Sequence, residues 1–185
     1  MKKFLVSFLL AMTAAASASA AELSNAPRLA RNAVAITERN LDNRFTRLWS
    51  DNPVPVLGPS RGVYLEGYGI VFTAEVNVVA GPPLTLFNTA TSKEYAAQHK
   101  QIKMKRIPDL KAEMQKALLD AAASKELALV PPDEQIVLVA FLSHFPWEDL
   151  SGIPAQIMLR GSKKKLLEAK SSGANLEAAI QATQF

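Results

Sequence analysis

The chain has 185 residues, no cysteine, a formal net charge of +4 and 49% hydrophobic residues, with a mean hydropathy of +0.06. A chain of this size can bury a core without disulfides. The missing cysteine excludes a thiol nucleophile, a cysteine-ligated zinc, a haem-attachment motif and the acylated cysteine of a lipoprotein.

Residues 1–20, MKKFLVSFLLAMTAAASASA, have the three parts of a secretory signal peptide. Lys2 and Lys3 are the positive region, residues 4–12 the apolar run, and Ala18, Ser19 and Ala20 the small residues of a cleavage site. The apolar run is shorter than the ~20 residues of a membrane span, which argues against an uncleaved anchor. Cleavage after Ala20 leaves residues 21–185 as a single domain of 165 residues and lowers the net charge from +4 to +2. The expected location is periplasmic or secreted, and the high whole-chain pI overstates the basicity of the working protein.

Ser24 or Asn25 can cap a first helix with Pro27 in its first turn, expected to be long. Leu41, Phe45 and Leu48 form its apolar stripe, and Asp51, Asn52 and Pro53 stop it. A Pro- and Gly-rich loop follows to Gly62. Ile70, Phe72, Ala74, Val76 and Val78 are then apolar at every second position, the mark of a strand with one buried face. Extending that strand back to Val63 places Tyr64, Glu66 and Tyr68 on the apolar face and makes Gly67 and Gly69 a bend closely approached by another group. The pair is no dinucleotide fingerprint: its third glycine is replaced by Phe72 and no helix opens after it. No cofactor motif occurs elsewhere.

Residues 92–124 are helical in character. Tyr95, His99, Ile102 and Arg106 share one face, Pro108 bends or breaks the run, and Leu110, Met114, Leu118 and Ala121 form the next stripe. His99 reads as a packed core-edge histidine. Residues 135–145 are apolar on both alternations, as in a central strand covered on both faces. After a loop, residues 155–161 read as a strand, and residues 162–170 and 175–185 as short helices. A loop of about ten residues favours an antiparallel pair, because a parallel one needs a longer crossover. The expected fold is therefore α+β, a small, mainly antiparallel sheet packed with helices.

Two groups of residues are candidates for a binding site. Tyr64, Glu66 and Tyr68 surround the glycines; a carboxylate at Glu66 on an apolar face needs water or a base such as Arg61 or Arg160. His144, Trp147, Glu148 and Asp149 follow the central strand in a Pro- and Gly-bounded loop, where function often sits. The plain alternative for this loop is a tryptophan plugging the core with two solvated acids beside it. One histidine with two adjacent acids is a poor zinc set, and no GxSxG elbow accompanies them, so no metal and no cofactor are expected. Lys100, Lys103, Lys105, Arg106 and Lys111, and residues 163–165, read as solvated basic faces. Without a recognised motif or interleaved aromatics, no nucleic-acid partner is expected, and no mature segment is long and apolar enough to be transmembrane.

YLEGYG followed by an apolar run and phenylalanine at residues 64–72, together with FPWED, SG, Pro154 and Gln156, resembles a group of uncharacterised secreted bacterial proteins over residues 60–160. The resemblance carries no function. The leading expectation is an exported, non-catalytic binding or scaffolding domain of the bacterial envelope, its partner an unidentified envelope component or protein. The rival is a periplasmic hydrolase using His144 with Glu148, Asp149 or Glu66.

Overall fold

The computed structural model describes residues 31–49, 57–82, 91–173 and 176–185. The expected signal peptide, the cap at Ser24 or Asn25 and the stop at residues 51–53 lie outside them. In chain order the elements are α1 (Arg31–Arg47), β1 (Arg61–Leu65), β2 (Gly69–Val76), α2 (Lys93–Ala122), β3 (Gln135–Leu142), β4 (Gln156–Ser162), α3 (Lys163–Ser172), α4 (Leu176–Ala179) and β5 (Gln181–Gln184). Among the described residues the longest helix is α2 with 30 residues, against 17 for α1. Among the described residues, no helix is long and apolar enough to cross a membrane.

The five strands of the described residues lie side by side in sequence order. β1/β2, β3/β4 and β4/β5 are antiparallel; β2/β3 is parallel because α2 carries the chain back across the sheet. The fold is α+β with a mainly antiparallel sheet, as the alternation and loop lengths imply. One face of the sheet, carrying Ile70, Phe72, Ile136, Leu138, Ile157 and Leu159, joins Phe45 of α1, Leu110, Met114 and Leu118 of α2 and Leu166 of α3 in one buried cluster. On the opposite face Val137 and Val139 are buried outside that cluster, whereas Val63, Leu65 and Phe141 are exposed. β3 is thus central, but its second face is covered only in part.

Two expectations need correction. Residues 63–79 are a hairpin, not one bent strand: Leu65 faces Gly69 across the ladder, and the Tyr68 amide donates to the Leu65 carbonyl at 3.0 Å. Glu66, Gly67 and Tyr68 are its three-residue loop, and Gly67 supplies the positive φ of 76° that such a loop uses. The second correction concerns residues 181–184, which pair with β4 as a strand and not as a helix.

Side-chain charges close the edges of this frame. Glu38 and Asp42, one turn apart on α1, accept from the amides of Gly62 and Ser60 at 2.8 Å each, covering the start of the edge strand β1. Arg44 of α1 pairs with Glu113 (2.9 Å) and Asp120 of α2, and Lys170 of α3 reaches Asp120 at 2.7 Å. Lys163, expected on a solvated face, is buried. Its ammonium donates to the carbonyls of Leu127, Ala128 and Val130 at 2.7–2.9 Å, using all three donors, and burial pushes its pKa down.

Candidate functional site

The parallel pairing of β2 and β3 places both carboxyl ends at one end of the sheet. There residues 77–82, residues 143–155 and the first half of α2 converge. Ser92 caps α2, its hydroxyl accepting from the Tyr95 amide at 3.2 Å. From that start Tyr95, His99, Lys103 and Ile107 recur every four residues and face inward. Beyond Pro108, which α2 accommodates without ending, the inward stripe is wholly apolar and covers the sheet. Before it, the stripe is polar and covers the loop that follows β3.

Lys103, Glu148 and His99 form a buried cluster, with side chains only 1%, 4% and 2% exposed. The Lys103 ammonium donates to Glu148 Oε2 at 2.5 Å and to the Ser143 carbonyl at 3.0 Å. Glu148 Oε1 accepts from the Phe145 amide at 3.2 Å while the Glu148 amide donates to the Phe145 carbonyl at 3.0 Å, so residues 145–148 close on themselves much as a capping box does. His99 Nδ1 lies 3.7 Å from the same Oε1, outside hydrogen-bond reach, and neither ring nitrogen finds a partner among the described residues. Burial is the main influence on His99 and lowers its pKa. Glu148 opposes that shift, Lys103 adds to it, and the nearby carbonyls of Ala80 and Val79 oppose it.

Rings wall the cluster off from solvent. Trp147 stacks on Phe145 (centroids 5.3 Å apart, planes at 3°) and meets His99 edge-on at 4.9 Å and Tyr95 at 5.8 Å. Among these rings Trp147 stays half-buried. A second lysine braces the loop from outside, since Lys100 donates to Asp149 (2.6 Å), whose carboxylate also accepts from Ser151. That lysine is the largest reason why Asp149 stays ionised far below the usual carboxylate range. A cavity of about 30 Å³ between Lys103, Ser143, His144 and Ile153 has room for a water molecule.

The candidates thus separate into two places. Trp147, Glu148 and Asp149 belong to one loop, but His144 is exposed and pairs with neither acid among the described residues. Glu148 is not the solvated acid that its loop position implies; Lys103 holds it inside. Tyr64, Glu66 and Tyr68 sit at the other end of β2, roughly 23 Å away at the rise of a strand. Glu66 is exposed in the hairpin loop, and among the described residues it forms no ion pair with Arg61 or Arg160. The Tyr64 hydroxyl donates to Glu134 Oε1 (3.2 Å), which also accepts from the Gly67 amide (3.2 Å). Burial first, and then the Glu134 carboxylate, push the Tyr64 pKa up to about 12. This end pins a hairpin.

Lys103 was not a sequence candidate, and His99 entered only as a packed residue. The readable signal was spacing. Steps of four from Tyr95 through His99 reach Lys103 and Ile107, whereas the step to Ile102 leads to a side chain that is 37% exposed. Among the described residues, no group of three or more His, Asp or Glu is placed to hold a metal ion. No family model, curated protein or solved structure matches the chain.

Proposed function

We propose that the protein is an exported binding domain of the cell envelope whose contact surface is the loop after β3, with Trp147 as its anchor. The observation that carries this reading is the seating of Trp147. The ring stacks on Phe145, the two acids that follow it in the loop are held by Lys103 and Lys100, and it is still only half-buried. A rigid, half-exposed aromatic offers large contact area at little entropic cost. The acid best placed for chemistry, Glu148, is committed to Lys103 and closed off from solvent, which speaks against the hydrolase.

Export is tested by the intact mass of the protein recovered outside the cytoplasm, which should correspond to a chain beginning at Ala21. Retention of residues 1–20 removes the envelope setting. The contact surface is tested by titrating the purified protein with peptidoglycan fragments and with vesicles of anionic phospholipid, reading tryptophan emission. The wild type should respond to one of these and Trp147→Ala should not; an equal response from both places the contact elsewhere.

A further inference from the structure

We propose that the buried His99–Glu148–Lys103 cluster is a proton-operated latch on residues 143–151, keeping Trp147 seated while His99 is neutral and releasing it when the ring is charged. Its consequence for ligand binding rests on the contact-surface reading above; the latch itself does not.

The cluster has one anion for two bases. Glu148 already spends Oε2 on Lys103 and Oε1 on the Phe145 amide. Charging His99 places a second cation beside Lys103 in a space where every one of these side chains is at most 4% exposed. The new cation cannot bond Glu148 at 3.7 Å. Moving the carboxylate toward it takes Oε1 off the Phe145 amide and draws Oε2 from Lys103, the two contacts that fold the 145–148 turn. Leaving it in place keeps a charged imidazole shut away from water, a cost of burial that the Val79 and Ala80 carbonyls offset only in part. Opening the loop relieves both, because His99 then meets water.

Among the described residues, few ionisable side chains face His99. From α2, the groups facing His99 are Tyr95 and Lys103, with Lys100 turned away onto Asp149. From the loop after β3 the facing group is Glu148, while His144 and Asp149 are exposed. From the end of β2 come the carbonyls of Val79 and Ala80. The sequence from Ala80 to Ser92 contains no ionisable side chain. The chain has two histidines, the side-chain type whose ordinary charge change falls between pH 5 and 8.

The sign follows from burial. His99 binds its proton less readily in the closed state than in water, where the ordinary value is 6.5. Below that value the open state gains protons that the closed state refuses, so acid favours opening. One proton limits the effect to about tenfold in the open-to-closed ratio per pH unit.

The test is amide hydrogen exchange at Phe145, Glu148 and Ser151 from pH 7.5 to 5, corrected for intrinsic rates and read against the β3 amides of Leu138 and Val139. Imidazole C2–H resonances followed in parallel assign the two histidines. Opening at the loop amides should rise about tenfold to thirtyfold by pH 5 while β3 stays protected. The rise should persist in His144→Gln and vanish in His99→Phe, which fills the same space without nitrogens. Should His99→Phe fail to fold, His144→Gln carries the test alone, since its only remaining histidine titration must coincide with loop opening. A flat response, a rise that follows His144, a rise that survives in His99→Phe, or stronger protection in acid would each overturn the latch. An intact latch without any ligand response at Trp147 would sink the contact-surface reading alone.

Discussion

Replacing Gly69 by alanine puts the hairpin and the parallel pairing at risk together. Gly69 has a φ of 130°, and a Cβ built there lies 1.9 Å from the Gln135 carbonyl oxygen, 2.6 Å from its nitrogen and 2.8 Å from its carbonyl carbon. All three atoms are backbone, so no rotamer change relieves the clash. They also open β3, whose Gln135 amide donates to the Tyr68 carbonyl at 2.8 Å and whose register pairs Gln135 with Gly69. Backbone strain contributes about 1–3 kcal/mol and forced displacement another 1–3 kcal/mol. The sum, about 2–6 kcal/mol, is a large part of the ~5–15 kcal/mol typical of a domain, and corresponds to a melting point lower by roughly 4–24 °C. Gly67→Ala is the matched control. It has a φ of 76° but nothing within 4 Å of its Cβ, so it pays strain without collision and should cost only about 1 kcal/mol. Urea and thermal melts of the two variants decide. If Gly69→Ala melts within ~0.5 kcal/mol of the wild type, or no lower than Gly67→Ala, close approach of Gln135 is not what selects glycine.

Glu148→Gln leaves the Lys103 ammonium buried against a neutral amide and should cost about 3–5 kcal/mol, whereas adding Lys103→Met should recover most of it; urea midpoints that make the double variant as weak as the single one would show the pair is uncoupled. Trp147 is half-buried, so Trp147→Ala should cost about 1–3 kcal/mol in thermal melts, below the ~3–5 kcal/mol of a fully buried ring; a larger loss would make it a plug of the core. Tyr64 has its pKa raised from 10.0 to about 12, so between those values the unfolded chain gives up a proton that the folded one keeps, and its stabilising contribution is lost as pH rises through that window. Melts at pH 9 and pH 11.5 should therefore show a larger drop for the wild type than for Tyr64→Phe, and equal drops would remove the Tyr64–Glu134 contact from the stability of the hairpin.

Periodicity made most of the elements legible. Alternation over residues 70–78 located β2, the double apolar run located β3, and the loop of ten residues implied the antiparallel β3/β4 pair that forms. Steps of three and four marked α1 and α2, and α2 runs through Pro108 because its second half buries Leu110, Met114 and Leu118 against the sheet. The failures were local sequences whose meaning depended on a distant neighbour. Residues 176–185 are rich in helix formers, yet 181–184 become a strand because β4 offers them an edge. Gly67 and Gly69 looked like a bend because nothing local announces the return of the chain.

By itself the sequence determined the cysteine-free α+β composition, the alternation of buried faces, and the loop in which Trp147, Glu148 and Asp149 fall together. Tertiary structure alone decided which charges are inside. Lys103 and Lys163 lie in stretches that read as solvated, and only the four-residue spacing from His99 sets Lys103 apart. Each is buried because residues 33 to 45 positions away, the 127–130 turn for Lys163 and the 143–148 loop for Lys103, supply acceptors for its ammonium. Burying a charge is costly unless a partner meets it, and that partner is set by how the chain packs, not by the residues beside it in sequence.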